Sequence, residues 1–148
     1  MENINAFKFA KIDKNAQIPV YKSIGSAGAD LYACNSVMIA PHKSATIHLG
    51  IKSEFPPMYV ALIFARSGLA SKEGLAPANK VGVIDSDYRG EWQVVLYNHS
   101  ELYRQVKIGD RVAQVVFQQV HHALFEEVSA DELSDTSRGE GGFGSTGK

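Results

Sequence analysis

Hydrophobic and polar residues alternate along much of this chain in short runs, the pattern that β-strands show. In residues 46–51 the alternation places Ile47, Leu49 and Ile51 on one face of a predicted strand. Residues 59–65 are apolar on both faces, as expected of a strand buried between two layers. β-Branched and aromatic residues predict further strands at 7–9, 92–97, 111–117 and 123–128.

Turn-forming residues separate these runs, at positions 40–42, 55–57, 98–100 and 108–110. Only residues 69–74 favour a helix, and then for a turn or two. Many short strands at close spacing predict an all-β fold, either a barrel or a sandwich.

Length and composition fit one domain with a real core. The chain has 148 residues, of which 45% are hydrophobic and 21% are charged, so it is neither disordered nor a membrane protein. Its 15 basic and 16 acidic residues give a net charge of −1, which leaves no basic excess for binding nucleic acid. The longest apolar run is far shorter than the ~20 residues of a membrane span. Because the N-terminus also lacks a signal peptide, we expect a cytoplasmic protein without nucleic-acid or membrane partners.

The single cysteine, Cys34, excludes an intrachain disulfide and is predicted to be a small buried hydrophobe. Water is the expected nucleophile in any hydrolysis, because the chain has no GxSxG motif and no recognisable catalytic triad. A carboxylate, a metal ion or both would then activate that water.

The end of the chain differs in composition from the rest. From residue 131 there is little to bury, and residues 138–148 hold five of the chain's 13 glycines. This segment matches GxGxxG and most of a P-loop by letter, but no helix can follow either match. Arg138 and Phe143 nevertheless suit a nucleotide, since arginine binds phosphate bidentately and an aromatic ring offers a stacking face. We therefore predict a β domain at residues 1–130 and an arm at residues 131–148.

Five segments together carry a family resemblance. They are Ala-Gly-Ala-Asp-Leu at 27–31, Ala-Arg-Ser-Gly-Leu-Ala at 65–70, Gly-Val-Ile-Asp-Ser-Asp-Tyr-Arg-Gly at 82–90, Gly-Asp-Arg-Val-Ala-Gln at 109–114, and the glycine-rich end at 138–147. In this order they resemble the five motifs of the trimeric dUTPases. The resemblance extends from about residue 23 to residue 147.

The resemblance implies a homotrimer of jelly-roll-like, distorted β-barrels with one short helix and a flexible C-terminal arm. It implies Mg²⁺-dependent hydrolysis of dUTP to dUMP and pyrophosphate, which keeps uracil out of DNA and supplies dUMP for thymidylate synthesis. Each active site would combine three subunits: one supplies the first, second and fourth motifs, the next supplies the third, and the last closes its arm over the nucleotide.

The resemblance also assigns roles at the reacting end of the substrate. Asp85 is similar to the carboxylate that holds and deprotonates the attacking water. Contacts to the phosphates are implied for Arg66, Ser67, Gly68 and Gln114. Asp30 and Gln114 would touch the metal only through water, because Mg²⁺ is held mainly by the substrate's phosphates.

Specificity for the base and the sugar is implied at other positions. The uracil-reading segment corresponds to Asn79, Val83 and Ile84, and Tyr88 to the ring that leaves no room for a ribose 2′-hydroxyl. Gln93 occupies a position with a weaker substrate role. In the arm, the resemblance implies substrate contacts at Arg138, Phe143, Gly144, Ser145 and Thr146. For Asp110 and Arg111 we prefer a solvated turn residue and a surface charge.

Two other functions stay open on the same scaffold. A dCTP deaminase carries a glutamate in the strand after the third motif, whereas residues 94–98 contain no carboxylate. A non-catalytic module that binds a nucleotide or a partner would be expected to have altered Asp85 or lost the arm, and neither change is present.

Overall fold

The computed structural model describes residues 6–142, and the fold of this part is all-β with a jelly-roll-like arrangement. Its eleven strands are β1 Lys8–Lys11, β2 Ala29–Tyr32, β3 Val37–Ile39, β4 Ser44–His48, β5 Ile51–Glu54, β6 Tyr59–Phe64, β7 Leu75–Pro77, β8 Gly82–Ile84, β9 Gln93–Asn98, β10 Arg104–Val106 and β11 Arg111–Gln119. A π-helical turn at Leu69–Glu73 and a 3₁₀ turn at Ala130–Glu132 complete the described elements. The all-β prediction is confirmed, and the predicted helical segment at residues 69–74 corresponds to the π-helical turn.

All strand pairs are antiparallel and connect strands distant in sequence. The largest sheet has the order β2-β11-β6-β8, and a second has the order β4-β9-β7. Two-stranded pairs, β1 with β5 and β10 with β3, complete the arrangement. The large sheet matters most here, because its order brings the ends of β2, β6 and β11 together.

The core contains a group of aromatic rings between the sheets. Phe117 meets Phe7 edge-on with ring centroids 4.7 Å apart, and Phe9 meets Trp92 at 5.3 Å. Trp92 is fully buried, and its indole N–H donates to Oγ of Ser53 at 3.0 Å. A buried indole needs such an acceptor, so the ring is satisfied as well as packed. Cys34 is buried too, as predicted.

Two strand predictions are wrong in detail. Residues 46–51 span β4 and the start of β5, with a break where Gly50 adopts φ of +64°. A side chain at Gly50 would crowd Ala16 and Asp13, so glycine fits this close approach. Residues 123–128 form no strand, and Leu124 and Phe125 are 97% and 93% exposed. Their pattern suits a strand, but no strand among residues 6–142 pairs with them.

Within the described residues, no helix combines the length and the apolar character needed to cross a membrane.

Candidate functional site

Asp30 is the centre of a charged cluster at one end of the large sheet. It lies in β2 and is 8% exposed. Oδ1 accepts a hydrogen bond from Nε of Arg66 at 3.1 Å, and Oδ2 accepts one from Nη1 of Arg111 at 3.2 Å. Nη1 of Arg66 also donates to the carbonyl oxygen of Arg111 at 3.1 Å. Because each guanidinium has five N–H donors, both arginines keep donors for an anion.

The sheet order explains why these residues meet. Gln114 of β11 lies opposite Asp30 of β2 on one side and Phe64 of β6 on the other. Arg66 follows the end of β6, and Arg111 begins β11. Residues separated by 84 positions in sequence therefore share one edge, which no local pattern could reveal.

Gln114 is fixed at the bottom of this edge. Its Nε2 donates to the carbonyl oxygen of Ala65 at 2.9 Å, which leaves Oε1 next to Gly28. A Cβ at position 28 would collide with that oxygen. Gly28 is thus required for this close approach, and the amide presents its oxygen in a defined place.

These residues line a cavity of about 380 Å³. It brings together five residues predicted from the sequence: Asp30, Arg66, Ser67, Gly68 and Gln114. Lys22 and Arg111 also line it. Three cationic side chains face one carboxylate there, so the cavity is net positive and chemically suited to a phosphate chain. We call it the cationic cavity.

A second cavity, of about 220 Å³, lies around the loop that follows β8. It brings together the predicted residues Val83, Ile84, Asp85, Tyr88 and Gln93. The side chain of Asp85 is exposed, and its carbonyl oxygen accepts a hydrogen bond from the backbone N–H of Tyr88 at 3.1 Å. We call this the Asp85 cavity.

Tyr88 is held against the following turn. Its hydroxyl donates to the carbonyl oxygen of Glu91 at 3.2 Å, and a Cβ at Gly90 would collide with its ring. Tyr88 is 46% exposed, so part of it is accessible to a ligand. Tyr88 is therefore placed by a hydrogen bond and a contact rather than by burial in the core.

Glu91 ties the wall of the Asp85 cavity to β4. Oε2 lies 3.0 Å from Nδ1 of His48 and 3.3 Å from Nε2 of Gln93, and Oε1 accepts from the N–H of Gly50 at 3.1 Å. Burial opposes ionisation of Glu91, but the hydrogen bonds from His48, Gln93 and Gly50 outweigh it and hold the pKa of Glu91 below its usual value. The carboxylate is therefore anchored in its charged form.

Not all predicted residues meet. Asn79 lines a third cavity, with Gly82 and Gln93, and Asp85 does not line that cavity. The cationic cavity and the Asp85 cavity share no lining residue. Arg138 is exposed, and its Nε donates to the carbonyl oxygen of Gly141 at 2.7 Å. The remaining predicted contacts lie outside the described residues: Phe143, Gly144, Ser145 and Thr146.

Residues 6–142 contain no group of three or more histidine, cysteine, aspartate or glutamate side chains able to hold a metal ion. The oxygen donors in the cationic cavity are the carboxylate of Asp30, already bound by two arginines, and the amide of Gln114. Oxygen atoms of this kind can bind the water ligands of a Mg²⁺ ion. Mg²⁺ typically keeps several water ligands and is held by substrate phosphates.

Three further residues line or border these cavities. Arg111 is exposed, as predicted for a surface charge, and it also pairs with Asp30, whereas Asp110 is a turn residue that accepts from the N–H of Lys107 at 2.8 Å. The sequence pattern does not single out Lys22 or Glu91. Arg111 and Glu91 do lie in or beside the segments at 109–114 and 82–90, and this proximity was the available signal.

The chain is similar to known proteins along its whole length. A family model described as dUTPase matches residues 14–147. The deoxyuridine 5′-triphosphate nucleotidohydrolase of Picosynechococcus sp. is 47% identical over 140 residues, which cover 95% of this chain and 97% of that protein. The enzyme of the same name from Candida albicans is 41% identical over 148 residues, covering all of this chain and 92% of that protein.

Solved structures agree with these matches. A mutant dUTPase of Staphylococcus bacteriophage 80alpha, solved with dUpNHpp, superposes with a TM-score of 0.86 at 25% identity, covering 97% of this chain and 99% of that chain. A dUTPase of phage phi11 of S. aureus, described for its coordination of a structural Mg(II) ion, superposes with a TM-score of 0.77 at 24% identity, covering 87% and 100%. The second likeness concerns the fold alone.

Proposed function

Because the chain belongs to the dUTPase family, we propose that it hydrolyses dUTP to dUMP and pyrophosphate. The observation that carries the proposal is the cationic cavity, which gathers the phosphate contacts expected from three separate segments of the chain. A chance match of short motifs would not be expected to place Asp30, Arg66 and Gln114 at one edge of a sheet.

The cationic cavity binds the triphosphate. Arg66 and Arg111 offer charged N–H donors, and the exposed hydroxyl of Ser67 adds another. Gly68 has open space around its Cα, so a phosphate can approach the backbone closely. Charge-assisted hydrogen bonds of this kind are roughly twice as strong as neutral ones, and they fix the position of the phosphates.

Asp85 acts as the general base. Its carboxylate takes a proton from a water molecule, and the water oxygen forms a bond to the α-phosphorus. The bond between that phosphorus and the α,β-bridging oxygen breaks, and its electron pair leaves with pyrophosphate. General-base help of this kind is worth ~10²–10⁴ in rate. An exposed carboxylate on a loop, as Asp85 is, can reach a water held beside a substrate.

Mg²⁺ is the proposed cofactor. When bound to the substrate's phosphates it would neutralise part of their charge and withdraw electrons from the reacting phosphorus. Asp30 and Gln114 would hold its water ligands, since their oxygens face the same cavity. The chain's own contribution is to keep these two oxygens in place, through Arg66 and Arg111 for Asp30 and through the backbone of Ala65 for Gln114.

The loop after β8 and its surroundings select the nucleoside. Val83 is 63% exposed at the rim of the Asp85 cavity, and Asn79 and Gln93 provide amides beside it. A base with the wrong donor pattern leaves a polar group unpaired, which costs ~1–3 kcal/mol. Tyr88, held by its hydrogen bond to Glu91, excludes a 2′-hydroxyl.

A homotrimer completes the site in this proposal. The cationic cavity and the Asp85 cavity are separate on one chain, so one subunit would supply the phosphate contacts and its neighbour Asp85. Residues 131–148 form an arm that closes over the site of another subunit, with residues 1–130 as the barrel. The exposure of Leu124 and Phe125 favours a partner surface for the segment that leads into the arm.

Hydrolysis in ¹⁸O-labelled water tests the proposed chemistry. We expect the label in dUMP and not in pyrophosphate, because water attacks the α-phosphorus. Asp85→Asn should bind dUTP but lose at least about a hundredfold in kcat. Label in pyrophosphate, or an undiminished rate for Asp85→Asn, would contradict the assigned mechanism.

A further inference from the structure

Lys22 is fixed beside the cationic cavity by its backbone. Val20 pairs with Asp30 in an isolated antiparallel bridge, in which the N–H of Asp30 donates to the carbonyl oxygen of Val20 at 2.9 Å. Two residues later the chain turns, and the N–H and hydroxyl groups of Ser23 lie 3.1 and 2.9 Å from Oγ of Ser26. Lys22 lies between these two anchors, so its Cα has a defined place at the cavity mouth.

The side chain of Lys22 is directed by an aromatic ring. Its Nζ lies 5.9 Å from the centroid of the Tyr32 ring, at the outer limit of a cation–π contact. Tyr32 ends β2 and is 7% exposed, so the ring is a rigid support. Such a contact restricts a long flexible side chain at little cost in hydration, which prepares the ammonium group for an anion.

Lys22 does not form an ion pair with Asp30, the acidic residue of the cavity. Both oxygens of Asp30 are taken by Arg66 and Arg111, and the ion pairs found within residues 6–142 do not include Lys22. One acid against three cations leaves the cavity with a net charge of about +2. No aromatic side chain lines this cavity within the described residues, so its chemistry fits phosphate and not a base.

We propose that Lys22 is a further substrate-binding residue, which holds the polyphosphate end of the nucleotide and the pyrophosphate product. This inference rests on the proposed function. Ammonium groups bind phosphate as point charges, so the contribution of Lys22 grows with the number of phosphates on the ligand. It acts on binding more than on the chemical step, because the reacting water belongs to Asp85.

Replacing the charge gives the test. Lys22→Met should raise KM for dUTP about three- to tenfold and change kcat less than about twofold, as expected for a partly exposed charged contact. Inhibition constants should rise in the same range for pyrophosphate and dUDP, and change less than about twofold for dUMP. Lys22→Arg should keep KM within about twofold of the wild-type value, since the positive charge remains. The difference between Lys22→Met and wild type should shrink as NaCl is added.

Lys52→Met is the matched control. Lys52 is an exposed lysine of β5 outside all the cavities described above, so the same loss of charge there should leave KM unchanged. Melting temperatures of the variants would show that they fold. An unchanged KM for Lys22→Met, or an equal weakening of dUMP and dUTP, would overturn the role of Lys22. A wild-type protein that does not hydrolyse dUTP would instead overturn the proposed function itself.

Discussion

Oδ1 of Asp30 accepts a hydrogen bond from Nε of Arg66 at 3.1 Å, in a pair whose side chains are 11% and 25% exposed. This contact joins β2 to the segment that follows β6, across the intervening strand β11. It orients the guanidinium group that we assign to phosphate binding. One ion pair therefore connects the stability of the large sheet with the geometry of the proposed site.

Replacement of Asp30 by Asn should cost both stability and activity. Arg66 and Arg111 would lose a charged partner in a mostly buried place, so we expect about 1–3 kcal/mol less free energy of unfolding. kcat/KM for dUTP should fall by more than about tenfold, because the arginines are no longer oriented. Urea denaturation at one fixed protein concentration, with steady-state kinetics, would measure both quantities.

Glu54→Gln is the control for that variant. Glu54 also forms an ion pair, 2.8 Å from Nζ of Lys8, but both side chains are more than half exposed. Its removal should change the denaturation midpoint little. If Asp30→Asn were as stable and as active as Glu54→Gln, the cluster around Asp30 would be an ordinary surface network.

The sugar-selecting role of Tyr88 can be separated from its hydrogen bond. Tyr88→Ala removes the ring that excludes the ribose. The ratio of kcat/KM for UTP to kcat/KM for dUTP should therefore rise by about tenfold or more. Tyr88→Phe loses only the hydrogen bond to Glu91 and should keep most of the discrimination. Measuring kcat/KM for dUTP and UTP with both variants checks this. Equal discrimination in Tyr88→Ala and wild type would show that another group excludes the ribose.

The arm is expected to serve catalysis rather than folding. Residues 121–140 are exposed along their whole length, so they add little to the core. Deleting residues 137–148 should leave the melting temperature within a few degrees of wild type while activity nearly disappears. Phe143→Ala in the full-length chain would show how much of this loss comes from one ring. Unchanged turnover in the truncated protein would remove the arm from the proposed site.

Glu91 gives a prediction for the pH dependence of stability. Although burial opposes its ionisation, its pKa is held below the ordinary value of a glutamate by the hydrogen bonds that it accepts, so its ionised form is favoured more in the folded than in the unfolded chain. The resulting stabilisation is complete above about pH 5 and is lost as the pH falls through the lowered pKa of the folded state. The difference in free energy of unfolding between wild type and Glu91→Gln should therefore shrink below about pH 4.

Urea denaturation from pH 7 to pH 3 measures that difference. The same comparison in a His48→Gln background shows how much of that difference depends on the ring that contacts Glu91. A difference that stays constant over the whole range would mean that the charge of Glu91 does not stabilise the fold.

The local pattern of hydrophobic and polar residues was sufficient to predict the long strands of this fold. Strands β6, β9 and β11 have six to nine residues, enough for alternation or a continuous apolar run to be visible. Strands β3, β7, β8 and β10 have three residues each and were not predicted, because so short a run carries no period. Gly50 broke one predicted strand through its backbone conformation, which hydrophobic alternation does not record.

The candidate site was predictable only through the order of its motifs. That order identified Asp30, Arg66 and Gln114, but their contact depends on β11 lying between β2 and β6. The contact of Arg111 with Asp30 and the place of Lys22 beside the cavity are not visible in the sequence for a related reason. A charged residue in or near a turn looks the same in sequence whether it faces solvent or a cavity, and here tertiary structure decides.

Pyrophosphate release in the presence of Mg²⁺, measured side by side with dUTP, dCTP, dTTP and UTP, tests whether the protein is a hydrolase specific for dUTP. We expect rapid release from dUTP and little from the other three nucleotides. Comparable release from several nucleotides would contradict the assigned specificity. Ammonia from dCTP would indicate a deaminase on the same fold, and no turnover of any nucleotide would contradict hydrolysis altogether.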